Sequence, residues 1–299
     1  MQGTIAPLRP IARVGAYVAL TKPRIIELLL ITTVPTMVVA QRGIPSIWLM
    51  VATVVGGSFA AGGANAINMY VDRDIDALME RTKNRPLVTG VIEPRHALIF
   101  AVALEAVAFA WLWGFVNLVS ALLAVAACLF YVFIYTLWLK RSSSHNIVIG
   151  GAAGAVPVLI GWTAVTGSLD WAPVVLFAVI FYWTPPHFWA LAIRYREDYD
   201  AADVPMLPSV VDLRTCAIRI LAYTVFLWAL TLVFSFVADM GLLYLVSAIV
   251  LGAIFTGLAV QLLRDATPKM AMRLFTFSIT YITLLFGAMA LDQILVGAA

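Results

Sequence analysis

Nine apolar stretches, each long enough to cross a bilayer, limit what this chain can become. They run over approximately 20–41, 47–70, 96–116, 118–139, 147–166, 172–193, 215–237, 241–262 and 271–295. About 20 apolar residues wound as a helix match the hydrocarbon thickness of a membrane. Lipid offers no partners to backbone N–H and C=O groups, so each stretch must satisfy its own by forming a helix. Residues are 63% hydrophobic and only 12% charged, about half the charge of an average soluble domain. No water-facing core could hide that much apolar surface. The spacing therefore predicts an all-α polytopic membrane protein with nine transmembrane helices and a single membrane domain over 1–299. The first stretch has no convincing cleavage site and is expected to stay in place.

Charge placement orients the spans. With the N-terminus cytoplasmic, the inward segments carry Arg9, Arg13, Lys22, Arg24, Arg73, Arg81, Lys83, Arg85, Arg95, Lys140 and Arg141. They also carry Arg194, Arg196, Arg214, Arg219, Arg264, Lys269 and Arg273. Of the 19 Lys and Arg, only Arg42 falls outside, a bias that gives N-terminus in and C-terminus out. The expected location is the cell inner (cytoplasmic) membrane. Cys128 and Cys216 have no metal-site or redox spacing and read as small apolar residues.

The outward links are short, whereas two inward links, 71–95 and 194–214, are long and polar. They follow the second and sixth spans. That four-span interval suggests a pseudo-repeat: about 14–140, then about 145–263, then a ninth helix at about 271–295. Sites at the interface of such halves recur in membrane proteins.

The second span ends in NAINMYVDRDIDALMERTKNRPL. Asn68, Asp72 and Asp76 stand at i, i+4 and i+8 and so form one helical stripe. Carboxylates at a membrane boundary are expensive unless paired or bound to a cation. Mg²⁺ accepts one or two carboxylates and completes its shell with water and substrate phosphates. Arg73, Arg81, Lys83 and Arg85 lie in or just after the stripe. Carboxylates for Mg²⁺ beside cations for phosphate oxygens suit a diphosphate leaving group. A lone N-x-x-x-D is more often a helix end fading into solvent, but the full stripe, the basic loop and a second acidic cluster together favour a site. That second cluster is Arg194, Arg196, Glu197, Asp198, Asp200 and Asp203. Asp198, one turn beyond Arg194, is its best candidate, against the alternative of a solvated charged face.

The stripe NMYVDRDID, the following TKNRPL, and the blocks TKPRIIELLLITTVP, KRSSSHNIVIGGAAGAVPVLIGW, WTPPHFWALAIRYREDY and VPMLP resemble the UbiA-type intramembrane prenyltransferase superfamily. The TPPHFWALAI and NIVIGGAAGAVP blocks point within it to the branch that farnesylates haem. The resemblance runs from about residue 14 to the last span. It implies nine helices around a central cavity, with a cytoplasmic cap made by the two long links. It also implies Mg²⁺ as cofactor, with haem b and farnesyl diphosphate as substrates, the bilayer as surroundings and no nucleic acid partner. Haem o, with its hydroxyethylfarnesyl chain, and diphosphate would be the products. Asn68, Asp72 and Asp76 would hold Mg²⁺ and the diphosphate, joined by Asp198, while Lys83, Arg85, Lys140 and Arg141 would touch phosphate. Superfamily members often carry a second D-x-x-x-D after the sixth span; here Ala202 stands four residues after Asp198, and that motif is incomplete.

Other residues are read beside the resemblance. A dry aromatic cavity shields an allylic cation, and Trp183, Phe188, Trp189, Tyr131 and Tyr135 are candidates to line it, each with helix packing or lipid contact as the alternative. His187, after Pro185 and Pro186, is a candidate haem-site residue, the alternative being a buried histidine bonded to a backbone carbonyl. Glu27 and Arg24 are further haem-side candidates. His96 and His145 read as interfacial. Asn146 with Gly150, Gly151 and Gly154 reads as a close-packing face. Two rival functions remain: a sister enzyme prenylating a quinone or chlorophyll precursor, and a proton-coupled transporter. The transporter would place its acids near the bilayer midplane; here they cluster at the cytoplasmic ends of spans, beside bases.

Overall fold

The computed structural model describes residues 10–297; the side chains of 10–12, 24–26, 28–30 and 296–297 fall outside the described residues, as does all of Arg9. In chain order, α1 (Pro10–Leu20) and α2 (Pro23–Gln41) lead into α3 (Ile47–Val71), the short α4 (Arg73–Asp76) and α5 (Pro94–Phe115). Next, α6 (Leu118–Leu129) runs without a break into a π-helical stretch (Phe130–Leu139) and the turn α7 (Lys140–Ser142). Then follow α8 (Asn146–Thr166), α9 (Trp171–Arg194), α10 (Arg196–Ala201), α11 (Leu207–Val210), α12 (Leu213–Val237), α13 (Leu242–Arg264) and α14 (Pro268–Gly297). No strand occurs among the described residues.

Among the described residues, eight helices are long and apolar enough to cross a membrane: α3, α5, the rod Leu118–Ser142, α8, α9, α12, α13 and Pro268–Leu295 of α14. The chain is a multi-pass membrane protein. Where the sequence places a first span, the structure has α2, whose described apolar part is Ile31–Gln41. Exposed Ile47, Trp48, Phe236 and Leu242 form part of an outer surface suited to lipid.

Local sequence chemistry sets the helix ends. Ser46 caps α3 by accepting from the Leu49 amide at 3.2 Å, and Asn117 caps α6 by accepting from Ser120 at 2.8 Å. Asp170 and Asp212 do the same for α9 and α12, each at 2.9 Å. Pro23 and Pro94 open α2 and α5, where a missing N–H is tolerated. Small residues then set the helix spacing. A Cβ on Gly56 would lie 2.5 Å from Leu112, so α3 and α5 meet across it. A Cβ on Gly161 would lie 2.7 Å from the Thr33 carbonyl, which fixes α8 on α2. Gly150 and Gly151 seat Tyr135 and Thr184, as their sequence block suggests, but a Cβ on Gly154 would meet nothing within 4 Å.

Two groups of helices result. The rod packs between α5 and α8, with α2 against α3 and α8. On the other side α9, α12, α13 and α14 pack together around Trp189, Phe234, Tyr244, Phe255 and Tyr281. α14 also packs on α2, closing the arrangement. Near one end of α14, buried Asp292 accepts from the amides of Gly241 and Tyr244, so α14 caps α13 in trans. Pro185 and Pro186 do not break α9. Cys128 and Cys216 are free and buried, in keeping with the apolar reading.

Candidate active site

The stripe survives folding, although the helix does not run straight through it. α3 ends at Val71 and Asp72 forms its C-cap (φ −85°, ψ 4°). The amide of Asp72 still bonds the Asn68 carbonyl at 2.9 Å, and that of Asp76 bonds the Asp72 carbonyl at 2.8 Å. The i, i+4, i+8 alignment therefore continues through the bend. All three side chains are buried, with Asp72 at 0% exposure.

Buried carboxylates need partners, and the structure supplies cations from three other segments. Lys140 of α7 forms a short ion pair with Asp72, and Arg141 stands 3.7 Å from the other Asp72 oxygen. Arg85, in the link after α4, pairs with Asp76 at 2.5 Å. Asn68 donates to Asp72 at 2.7 Å and to the Thr136 hydroxyl at 3.2 Å. Its carbonyl oxygen accepts from Lys22 at 2.9 Å. Arg141 also clamps Asp74 through two bonds of 2.7 Å, holding that carboxyl near a pKa of about 2.

The π-helical stretch accounts for part of this convergence. Its backbone amides reach five residues back, as that of Lys140 does to the Tyr135 carbonyl, and the Thr136 hydroxyl also donates to the Tyr131 carbonyl at 2.9 Å. That wider register shifts the facing of residues beyond it relative to a plain α-helix, and Lys140 arrives at Asp72. Within the same stretch Tyr131 and Tyr135 stack at 5.3 Å. Tyr135 and Phe188 pack with Ile75, Met79, Ile147 and Tyr199, which brings α4, α8, α9 and α10 to one place. Two of the proposed aromatics serve packing instead: Trp189 lies in the apolar core edge-on to Tyr223, and Trp183 donates to the Ser278 carbonyl of α14 at 2.9 Å.

The two long links meet over this cluster. Asp198 accepts from the backbone amide of Arg81 at 3.3 Å, while the Arg81 guanidinium reaches Tyr199 at 3.5 Å and lies over Tyr195 at 5.6 Å. Asp198 thus joins one link to the other. Arg194 lies over the same Tyr195 ring at 5.9 Å. Lys83 pairs with Glu80 at 2.5 Å on the exposed face, and Arg73 turns back onto Tyr70, so neither joins the cluster. Glu27 is exposed on α2, and the side chain of Arg24 lies outside the described residues. His187 bonds Ser278, a side-chain hydroxyl and not a backbone carbonyl.

Sequence reading passed over Lys22 and Thr136. Lys22 holds a left-handed backbone (φ 51°) between α1 and α2, and that bend leaves it within reach of Asn68. Its place in the TKPR block, just ahead of a helix-starting proline, was the available signal. Nothing in FYVFIYTLWL announces a π register.

Among the described residues no three Asp, Glu, His or Cys side chains converge on one point. One feature nevertheless suits a divalent ion. Asp72 Oδ1 is fully buried and accepts no hydrogen bond, and Asn68 lies beside it. A free, buried carboxylate oxygen of this kind fits Mg²⁺, which needs only one or two carboxylates when phosphates complete the shell.

Two buried acids and a buried amide thus face bases from three other segments, under a cap of two links and within a membrane-length helix bundle. The chain belongs to the UbiA prenyltransferase family, whose model matches residues 29–285, and it is a prenyltransferase. Along nearly its whole length it is similar to the protoheme IX farnesyltransferase of Parafrankia sp. (strain EAN1pec). The two are 55% identical over 287 residues, covering 95% of this chain and 91% of that one. Two solved structures share the fold. Digeranylgeranylglyceryl phosphate synthase superposes with a TM-score of 0.78 at 18% identity, covering 95% of this chain and 99% of that one. A UbiA homolog from Archaeoglobus fulgidus bound to GPP and Mg²⁺ superposes with a TM-score of 0.63 at 18% identity, covering 93% and 99%.

Proposed function

We propose that the chain transfers the farnesyl group of farnesyl diphosphate to a vinyl group of haem b, giving haem o and diphosphate. The observation that carries the leaving-group half is the buried Asn68–Asp72–Asp76 stripe with Lys22, Arg85, Lys140 and Arg141 around it. The acceptor half is supported by similarity to protoheme IX farnesyltransferases at about 50% identity. The incomplete second aspartate motif separates this chain from quinone-type relatives. The site lies at the cytoplasmic face of the inner membrane, with nine spans, the N-terminus inside and the C-terminus outside.

Asn68, Asp72 and Asp76 would hold Mg²⁺, which neutralises diphosphate charge and so makes it a better leaving group. Lys140, Arg141 and Arg85 exchange their carboxylate contacts, and Lys22 its bond to the Asn68 amide oxygen, for phosphate oxygens when substrate enters. Diphosphate then departs with the electron pair of the allylic C–O bond. The terminal vinyl carbon of haem bonds to farnesyl C1. Water adds to the ring-side vinyl carbon and gives up one proton, completing the hydroxyethylfarnesyl chain. Tyr131, Tyr135 and Phe188 keep bulk water from the allylic cation and present π-faces to it. His187, with Glu27 and Arg24, belongs to the haem side.

Membranes carrying the chain are incubated with haem b, farnesyl diphosphate and Mg²⁺, and extracted haems are read by mass spectrometry, with Asp72→Ala in parallel. Farnesylated haem from wild type, lost in the variant, is the expected result. Prenylation of a quinone precursor with haem untouched would overturn the acceptor.

A further inference from the structure

His187 occupies a more specific environment than a packed histidine requires. Trp183 stacks on its ring at 4.3 Å with a 21° tilt, and Phe275 of α14 stacks at 4.6 Å with 28°. Two near-parallel rings at these distances must take opposite faces, so both faces are covered. Phe188 meets the ring edge-on at 5.6 Å. On the Nδ1 edge the Ser278 hydroxyl of α14 lies at 2.6 Å. The ring is still only partly buried, and no hydrogen bond involves Nε2 among the described residues.

The proton count at Ser278 decides the tautomer. Ser278 Oγ also lies 2.6 Å from the Phe275 carbonyl, three residues back in the same helix. A carbonyl can only accept, so the single hydroxyl proton is spent there. Oγ is left to receive, and His187 must be the donor through Nδ1–H. A neutral imidazole protonated at Nδ1 carries its lone pair on Nε2. Metal-bound histidines are characteristically fixed by such a donation from the ring nitrogen that does not touch the metal. The Trp183 indole N–H, donating to the Ser278 carbonyl at 2.9 Å, anchors the serine's turn to α9.

We propose that Ser278 is a positioning residue that locks His187 as the Nδ1–H tautomer, so that Nε2 serves as an axial ligand to the iron of the porphyrin acceptor. The iron-binding half rests on the acceptor reading above; the tautomer half does not. Ligation would fix the macrocycle by its centre while the vinyl group is aligned with the allylic carbon.

Two measurements test it on the full chain in lipid nanodiscs. The protein has three histidines, so ¹⁵N-histidine NMR without haem resolves the tautomer of His187, assigned by His187→Gln. Wild type should show a protonated Nδ1 and a bare Nε2. Ser278→Thr should keep that pattern, and Ser278→Ala should lose it. A protonated Nε2 in wild type overturns the proposal, whatever the acceptor is. Ferric haem b is then titrated and followed by Soret absorbance and EPR. Wild type and Ser278→Thr should give one histidine-ligated spectrum. Ser278→Ala should weaken binding about tenfold with a mixed spectrum, and His187→Gln should lose the ligation signature. An unchanged spectrum in His187→Gln overturns the ligand assignment. Absence of haem binding by wild type, with Nδ1 protonated as expected, would sink the acceptor reading and its iron ligand while leaving the tautomer lock in place.

Discussion

At Asp72 one carboxylate serves structure and, on the proposed reaction, chemistry as well. It is fully buried against Lys140, itself only 14% exposed. Removing one partner of a buried pair strands the other, at a cost of about 3–5 kcal/mol. Asp72→Ala is therefore expected to lower thermal stability in detergent as well as abolish turnover. Asp72→Ala with Lys140→Met, which leaves neither charge stranded, should recover most of the stability and none of the activity. Recovery of turnover by the pair would remove Asp72 from the chemistry. The stripe itself was legible in sequence because four-residue spacing on a helix is a rigid ruler, and a mild bend at Asp72 does not reset it. Lys22 was not legible, since its place depends on a left-handed turn between two helices. The contact of Asp198 was not legible either: a helical extrapolation from Arg194 carries it toward the opening, whereas the break at Tyr195 sets it against the Arg81 amide.

Among the helices, the eight spans from α3 onward were readable to within a few residues, because bilayer thickness and backbone hydrogen bonding leave an apolar run few options. The π register was not, because Phe130–Leu139 contains no Gly or Pro and has ordinary apolar periodicity. Helix spacing gives a direct test at Gly161. Its neighbour is the Thr33 backbone carbonyl, which cannot rotate out of the way. Gly161→Leu should force α8 off α2 and lower stability by about 1–3 kcal/mol or more. Gly154→Leu, where no atom lies within 4 Å, should be tolerated. Melting of the two purified variants, followed by intrinsic fluorescence, separates the outcomes; equal melting points would show that the α2–α8 approach is not tight.

For the molecule as a whole, the charge asymmetry predicts that the face carrying the site is cytoplasmic. Both native cysteines are buried, which leaves a quiet background for a membrane-impermeant thiol reagent. Glu80→Cys should label in inside-out vesicles and stay silent in intact cells, while Ser46→Cys should do the opposite. Identical labelling of both from one side would refute the orientation.

The pairing of every acid in the stripe with a base from another segment carries one more consequence. A vacant pocket of bare carboxylates would behave as a cation trap, and one of bare lysines and arginines would collect any stray anion. On the proposed reaction the resting pocket would act as a closed ion exchanger, admitting a charged guest only by swapping internal partners. Selectivity would then begin before any contact with the prenyl tail: a visitor would have to bring both signs of charge at once, a metal for the acids and a polyanion for the bases, to displace the protein's own salt. The same swap, run backwards, would expel the spent diphosphate as Lys140 and Arg85 return to their carboxylates.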